Sequence, residues 1–267
     1  MPANIPQRRD LILDRLYEQG SVEVTTLAEH MRVSESTIRR DLRRMADEGL
    51  VELTHGGASV LGNANFSFYA KSARNADAKH AIGRLAATLV DDSDQIFLDS
   101  GTTCLALARR LRARRNLSAI VNSARTAQEL VSPGANVILL GGKFRPERMD
   151  SVGPLAAATL ERLHGFKAFI GSDGVARDFG PTSIDIESAS LFGQAVANAR
   201  EAVLMVDATK FDTTALYRIV DWRSITTLVT DRHPGPEWAA FLEQRAIRLL
   251  IPEDAAQPLA STRTQTD

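Results

Sequence analysis

Val33-Ser34-Glu35-Ser36-Thr37-Ile38-Arg39-Arg40-Asp41-Leu42 opens a helix whose faces differ sharply in chemistry. Ser34 is an N-cap residue, because its hydroxyl can accept from the free backbone N–H groups of a first helical turn. Ile38, Leu42 and Met45 then recur at i, i+4 and i+7 and make one apolar stripe. Arg39, Arg40, Arg43 and Arg44 crowd the other faces, and with Asp41 as the single acid among them the stretch carries a formal +3. A helix that buries one stripe and presents this much positive charge is suited to a polyanion.

The neighbouring residues narrow that reading. The pattern predicts a helix from Arg8 to Gln19 that repeats apolar residues at Leu11, Ile12, Leu16 and Tyr17 and is broken by Gly20-Ser21. A short second helix spans Thr25 to Met31, Arg32-Val33-Ser34 turns the chain, and the arginine helix is expected to end near Gly49. Leu50 to Leu53 alternates briefly, and Thr54-His55-Gly56-Gly57-Ala58 closes on two glycines, as a β-wing does. Residues 1–58 therefore read as a winged helix-turn-helix domain with double-stranded DNA as its partner. In that geometry the first residues of the second helix reach base edges in the major groove, where arginine can hold guanine O6 and N7 together. This nominates Ser36, Thr37 and Arg40 for bases, with Arg39, Arg43 and Arg44 flanking the groove. An isolated helix of this kind could be a solvated surface paired with Asp41, Asp47 and Glu48; the preceding helix, turn and wing favour DNA. His55 could donate to a phosphate or minor-groove edge, or simply orient the turn before Gly56.

Overall charge contributes nothing to this reading. The 267 residues carry 32 Lys and Arg against 33 Asp and Glu, and residues 1–58 hold eight arginines against ten acids, so attraction to DNA must be local. With 44% hydrophobic and 24% charged residues, the chain fits a soluble globular protein of two modest domains or one large one. Cys104 is the only cysteine, which excludes an internal disulfide and a cysteine-rich zinc site. It reads as a lone buried thiol, and Trp222 and Trp238 read as packing residues. The five histidines lack close metal-ligand spacing, so neither metal nor cofactor is expected. No apolar signal core and no run near the roughly 18 apolar residues of a membrane span are present, which points to a cytoplasmic protein without a membrane partner.

Residues 59–74 read as a linker partly docked through Phe66, Phe68 and Tyr69. Residues 75–253 alternate apolar runs with helical stretches such as Thr103–Leu111 and Ala124–Val131. The runs are Gln95–Asp99, Ser118–Val121, Asn136–Gly141, Lys167–Gly171, Ala202–Asp207, Thr226–Thr230 and Ile247–Ile251. This predicts an α/β domain with a largely parallel sheet, followed by a polar, disordered tail over 254–267.

Four loops of that domain carry anion- and hydroxyl-binding chemistry. Asp99-Ser100-Gly101-Thr102-Thr103 joins a strand to a helix, where free backbone N–H groups and the helix dipole suit a phosphate. Asn122-Ser123 precedes another helix, and Gly141-Gly142-Lys143-Phe144-Arg145 sets a flexible backbone beside two cations. Asp207-Ala208-Thr209-Lys210 adds a carboxylate for hydroxyls and an ammonium for phosphate. Loops at the carboxyl ends of parallel strands converge on one crevice, so the set suggests a phosphorylated sugar or polyol. Strand-to-helix turns also need small capping residues for purely structural reasons.

The segment from Arg8 to Ala58, above all VSESTIRRDL and THGGA, resembles the winged helix-turn-helix of DeoR/GlpR-type bacterial transcriptional regulators. The four loops resemble the sensor domain of the same family, which is similar in fold to ribose-5-phosphate isomerase and glucosamine-6-phosphate deaminase. The resemblance implies a repressor of a carbohydrate or polyol operon, released from its operator by a phosphorylated metabolite; because symmetric oligomers read repeated half-sites, a homodimer or homotetramer is expected. It also implies that Ser100, Gly101, Thr102 and Thr103 form the phosphate cradle, Asn122, Gly141 and Gly142 the pocket floor, Lys210 the late lysine, and Gly171 and Asp173 a further pocket loop. The chain departs from the family pattern at Glu52-Leu53, where the wing commonly has an arginine, and at Val121, Thr209 and Phe192; a lysine is expected in place of Phe192. An isomerase or deaminase could nominally draw an acid and base from Asp99, Asp173, Asp207 and Lys210. The resemblance implies binding without turnover.

Overall fold

The computed structural model describes residues 8–9, 11–12, 15–16, 21–47, 50–60 and 68–252. They fall into two compact units divided between Ala76 and Asp77. The expected tail over 254–267 lies outside the described residues, as does Phe66.

In the first unit, residues 8–9, 11–12 and 15–16 are helical. They are followed by β1 (Ser21–Glu23), α1 (Val24–Met31), α2 (Glu35–Asp47), β2 (Val51–Thr54), β3 (Gly57–Val60) and α3 (Phe68–Ala73). Arg32 ends α1 in the left-handed conformation (φ 52°), and Ser34 caps α2, its Oγ accepting from Thr37 N at 3.3 Å. Ile38, Leu42 and Met45 are buried together with Ile12, Leu16, Leu27 and Val51, so the apolar stripe is the core of the unit. The wing is a three-stranded antiparallel sheet in the order β1-β3-β2. Gly20-Ser21 reads in sequence as a break, yet Ser21 to Glu23 pair with Ser59 to Gly57. Three residues are too few for alternation to announce a strand. Strand β3 continues to Val60, and helix α3 occupies part of the stretch read as linker, with Phe68 buried.

The second unit begins within α4 (Ala76–Ala87) and is built on a seven-stranded sheet. Its strands are β4 (Gln95–Leu98), β5 (Ser118–Val121), β6 (Asn136–Leu139), β9 (Lys167–Ile170), β12 (Glu201–Met205), β14 (Thr227–Val229) and β15 (Arg248–Leu250). All are parallel, in the order β15-β14-β12-β9-β4-β5-β6. These are the seven apolar runs of the sequence. The near-continuous apolarity of the inner strands follows from burial on both faces. Ile96 and Leu98 of β4 pack with Phe169, Val203 and Met205 against α4, α5 (Thr102–Leu111) and α6 (Ala124–Leu130). Phe97 points the other way, with Ala168, Ile170 and Leu204, against α7 (Pro154–Leu160), α8 (Ile186–Asn198) and α9 (Pro236–Glu243). Short antiparallel additions complete the unit: a hairpin of β7 (Lys143–Arg145) and β8 (Asp150–Val152), and a three-stranded sheet of β10 (Gly174–Ala176), β11 (Gly180–Ser183) and β13 (Tyr217–Arg218). No helix among the described residues is long and apolar enough to cross a membrane.

Candidate functional site

On the first unit the residues nominated for DNA share the outer surface of α2 and the wing. Ser36, Arg39, Arg40, Arg43, Arg44 and His55 are exposed, and Thr37 is half-buried. Ser34 Oγ lies 2.8 Å from Ser36 Oγ and 2.9 Å from Thr37 Oγ1, so the cap and the two hydroxyl residues form one polar cluster at the start of the helix. Asp41 accepts from Arg8 Nε at 2.7 Å, which turns the one acid of the arginine run toward the N-terminal helical residues. Arg39 pairs with Glu35 at 2.9 Å, one turn back on its own helix. Among the described residues no ion pair engages Arg40 or Arg43. On the wing, Glu52 and Leu53 are exposed where an arginine would be expected to meet a phosphate.

On the second unit the strand order itself locates a crevice. From β4 the chain runs outward through β5 and β6, then crosses to β9 on the opposite side of β4 and continues through β12, β14 and β15. The carboxyl ends of β4 and β9 are thus a topological switch point. Asp99, directly after β4, bridges it: one carboxylate oxygen accepts from Gly101 N and the other from Gly171 N, each at 2.6 Å. Burial raises the Asp99 carboxyl above its usual range, against the opposing pull of the Cys104 thiol, the Gly171 and Gly101 amides and the charge of Arg148. Gly101 then caps α5 without a side-chain hydrogen bond, and half-exposed Thr102 and Thr103 open the helix.

Ser100 is buried and donates from Oγ to Asp150 Oδ2 at 2.7 Å. Asp150, fully buried, is gripped by Arg145 through Nε and Nη2, both at 2.8 Å. Arg145 Nη1 reaches Asp185 at 2.9 Å, and Nη2 also reaches Ser188 Oγ at 3.1 Å. The guanidinium that the sequence offers as a cation beside Gly141-Gly142 is therefore held on every nitrogen by protein acceptors. Burial works against its charge, but the hydrogen bonds and charges of Asp150 and Asp185 outweigh this and raise its basicity. Lys143, by contrast, is exposed and lies 3.2 Å from Glu187.

The other nominated residues hold their own loops. Asn122 is buried; its Nδ2 donates to Ser151 O at 3.1 Å, and its Oδ1 has no partner. Gly141 and Gly142 are exposed after β6, with Gly142 at φ 144° on the approach to β7. Asp173 Oδ2 accepts from Ile184 N at 2.9 Å. Asp207, after β12, is buried and accepts from Thr209 N at 3.0 Å, starting the 3-10 turn that carries half-buried Lys210. That turn is anchored by Phe211, whose ring meets Trp238 at 4.9 Å.

Sequence reasoning missed Asp150, Asp185 and Ser188, since nothing local distinguishes them before the fold closes around Arg145. Phe192 is buried in the core, so the position expected to be lysine packs. Cys104 is buried with Sγ 3.3 Å from Phe169 O, and burial pushes its thiol well above the usual range. Trp222 and Trp238 stack edge-on at 5.7 Å within the core. Among the described residues no cluster of His, Cys, Asp and Glu could hold a metal ion.

Comparison with known proteins gives the two units their place. Residues 8–63 match the DeoR-like helix-turn-helix domain, and residues 74–232 match the DeoR C terminal sensor domain. The HTH-type transcriptional repressor CsqR of Escherichia coli K12 is 30% identical over 256 residues, covering 93% of this chain and 96% of that protein. The HTH-type transcriptional repressor GlcR of Bacillus subtilis 168 is 30% identical over 251 residues, covering 92% and 96%. Among solved structures, ribose 5-phosphate isomerase A from Methanocaldococcus jannaschii superposes with a TM-score of 0.38 at 20% identity, over 51% of this chain and 55% of that one; this likeness carries nothing about the site. With both domains matched in order and relatives of almost equal span, the chain belongs to the DeoR family of transcriptional regulators, DNA-binding proteins rather than enzymes.

Proposed function

We propose that this regulator represses an operon for carbohydrate or polyol breakdown and leaves its operator when a phosphorylated sugar or related metabolite binds at the carboxyl edge of the parallel sheet. The observation that carries the reading is where polar atoms lack partners. Among the described residues four buried side-chain atoms have none, and three of them, Asn122 Oδ1, Ser172 Oγ and Thr230 Oγ1, lie just beyond the ends of β5, β9 and β14. An unsatisfied buried polar atom costs about 1–3 kcal/mol, which the hydroxyls of a polyol can offset.

In this reading Ser100, Gly101, Thr102 and Thr103 form the cradle that takes the phosphate at the start of α5. Asn122, Gly141 and Gly142 form the floor, Asp173 and Asp207 meet hydroxyls, and Lys143 and Lys210 add positive charge. Arg145 acts through Asp150, fixing Ser100. Ser36, Thr37 and Arg40 read bases, while Arg39, Arg43, Arg44 and His55 meet the DNA backbone. A homodimer or homotetramer would match repeated half-sites, and the protein would work in the cytoplasm, where the operator is. The names of the relatives support the sign of regulation.

The test is release of operator DNA by a panel of sugars and polyols, each offered free and phosphorylated. Release confined to phosphorylated members is expected. Equal release by a free sugar would overturn the reading.

A further inference from the structure

We propose that Arg148 is the cation that clasps the effector phosphate, and hence the residue that makes the site prefer a phosphorylated ligand to a neutral one. The inference rests on the phosphorylated-effector reading above and adds a residue to it.

The other cations near the cradle are placed for different tasks. Arg145 has all its nitrogens on Asp150, Asp185 and Ser188. Lys143 is turned out toward Glu187, its side chain 66% exposed. Lys210 follows β12, which is separated from β4 by β9, so it approaches from two strand spacings away, about 10 Å. That distance suits the far end of a sugar better than a phosphate seated on α5.

Arg148 stands beside the cradle and is held there by backbone. It lies in the turn of the β7–β8 hairpin, with its N donating to Arg145 O at 3.2 Å. The next residue, Met149, has a left-handed φ of 53° and accepts from Ala124 N at 2.8 Å, pinning the turn to the start of α6. The Arg148 side chain is only 14% exposed, and its contact with Asp150 is a long one, Nε to Oδ2 at 3.4 Å. That same oxygen accepts from Ser100 Oγ, so the guanidinium and the cradle serine sit on one atom. Its charge also acts on Asp99 at the foot of the cradle.

The charge balance explains why a second arginine is needed. Asp150, Arg145 and Asp185 together carry a formal −1, which would oppose an incoming phosphate. Arg148 brings that cluster to zero, which removes its opposition to the dipole of α5. Since Arg145 already binds both oxygens of Asp150, the fork of Arg148 can turn its terminal nitrogens to a phosphate, the geometry in which arginine is strongest.

The experiment follows the unfolding midpoint of the full-length protein as inorganic phosphate is added, for wild type, Arg148→Gln and Arg148→Lys. Phosphate should raise the wild-type midpoint by mass action. In R148Q its apparent affinity should fall by about tenfold or more, the loss expected for hydrogen bonds between charged groups, and R148K should recover much of it. Should R148Q lose cooperative unfolding, Arg148→Ala replaces it. A wild-type midpoint that does not respond to phosphate overturns the phosphorylated-effector reading and this inference with it. Wild type and R148Q responding alike would leave that reading standing and reject Arg148.

Discussion

Arg39 and Arg40 are adjacent in sequence and different in situation. Arg39 is paired with Glu35 one turn back, whereas Arg40 is exposed with no ion pair among the described residues and stands one turn into α2. Arg40→Ala should therefore weaken operator binding by about 1–3 kcal/mol and relax preference at one base pair, while Arg39→Ala should weaken all sequences alike and reduce the salt slope by about one. Anisotropy titrations over a salt series, with operator and scrambled duplex, separate the two; unchanged sequence preference in R40A would remove Arg40 from the bases. Asp185 invites a second prediction. Burial works to raise its carboxyl, but the hydrogen bonds of Ser188 and Arg145 win and hold it below its ordinary value of 3.8. A folded-state value below the unfolded one means that its contribution to stability is complete above the unfolded value and is lost as pH falls through the folded one. Below about pH 4 the sensor unit should lose stability faster in wild type than in Asp185→Asn, as read by urea unfolding at a series of pH values. Parallel slopes would show that Asp185 does not titrate with folding. Neither environment is legible in the sequence, which offers Arg145 as a cation beside Gly141-Gly142; a contact formed across forty residues makes it a strut instead.

Elements were legible in proportion to how strongly burial patterns them. The inner strands of the parallel sheet, covered on both faces, announce themselves as apolar runs, and α2 shows its stripe because one face is core. Strands β7 (KFR), β8 (DSV) and β1 (SVE) are three residues each and carry no period for a reader to find. The wing shows what pairing adds. Gly56 takes a positive φ of 104° in the turn, so its glycine is a matter of backbone conformation. Gly57 has no such need: a Cβ there would run into the carbonyl of Val22, so its glycine lets β1 lie against β3. Gly57→Ala should push β1 off the wing and cost about 1–3 kcal/mol, as overpacking does. Lowered stability of the first unit in thermal unfolding, with the sensor transition unmoved, is the expected result; full wild-type stability would mean that the β1–β3 pairing yields without cost.

At the scale of the whole molecule the sequence shows two units in order but not where either one's site will form. Chain order is monotonic, and only the sheet reveals that it reverses between β4 and β9, making Asp99 and Gly171 neighbours across 72 residues. If the crevice made there receives the effector and α2 receives the operator, the two binding events share one free energy of coupling. Such couplings run to about 1–3 kcal/mol, a change in affinity of roughly 5- to 150-fold. Linkage makes the change reciprocal: operator DNA must weaken effector binding by the same factor by which effector weakens operator binding. Calorimetric titration of the releasing ligand into the free protein and into its operator complex measures one factor, and anisotropy with and without ligand measures the other. The two should agree within error, and both should move together in R148Q if Arg148 distinguishes the bound from the unbound sensor. A ligand that binds the free and DNA-bound protein equally cannot displace the operator by this route, whatever its affinity, and release would then have to come from direct competition for the surface of α2.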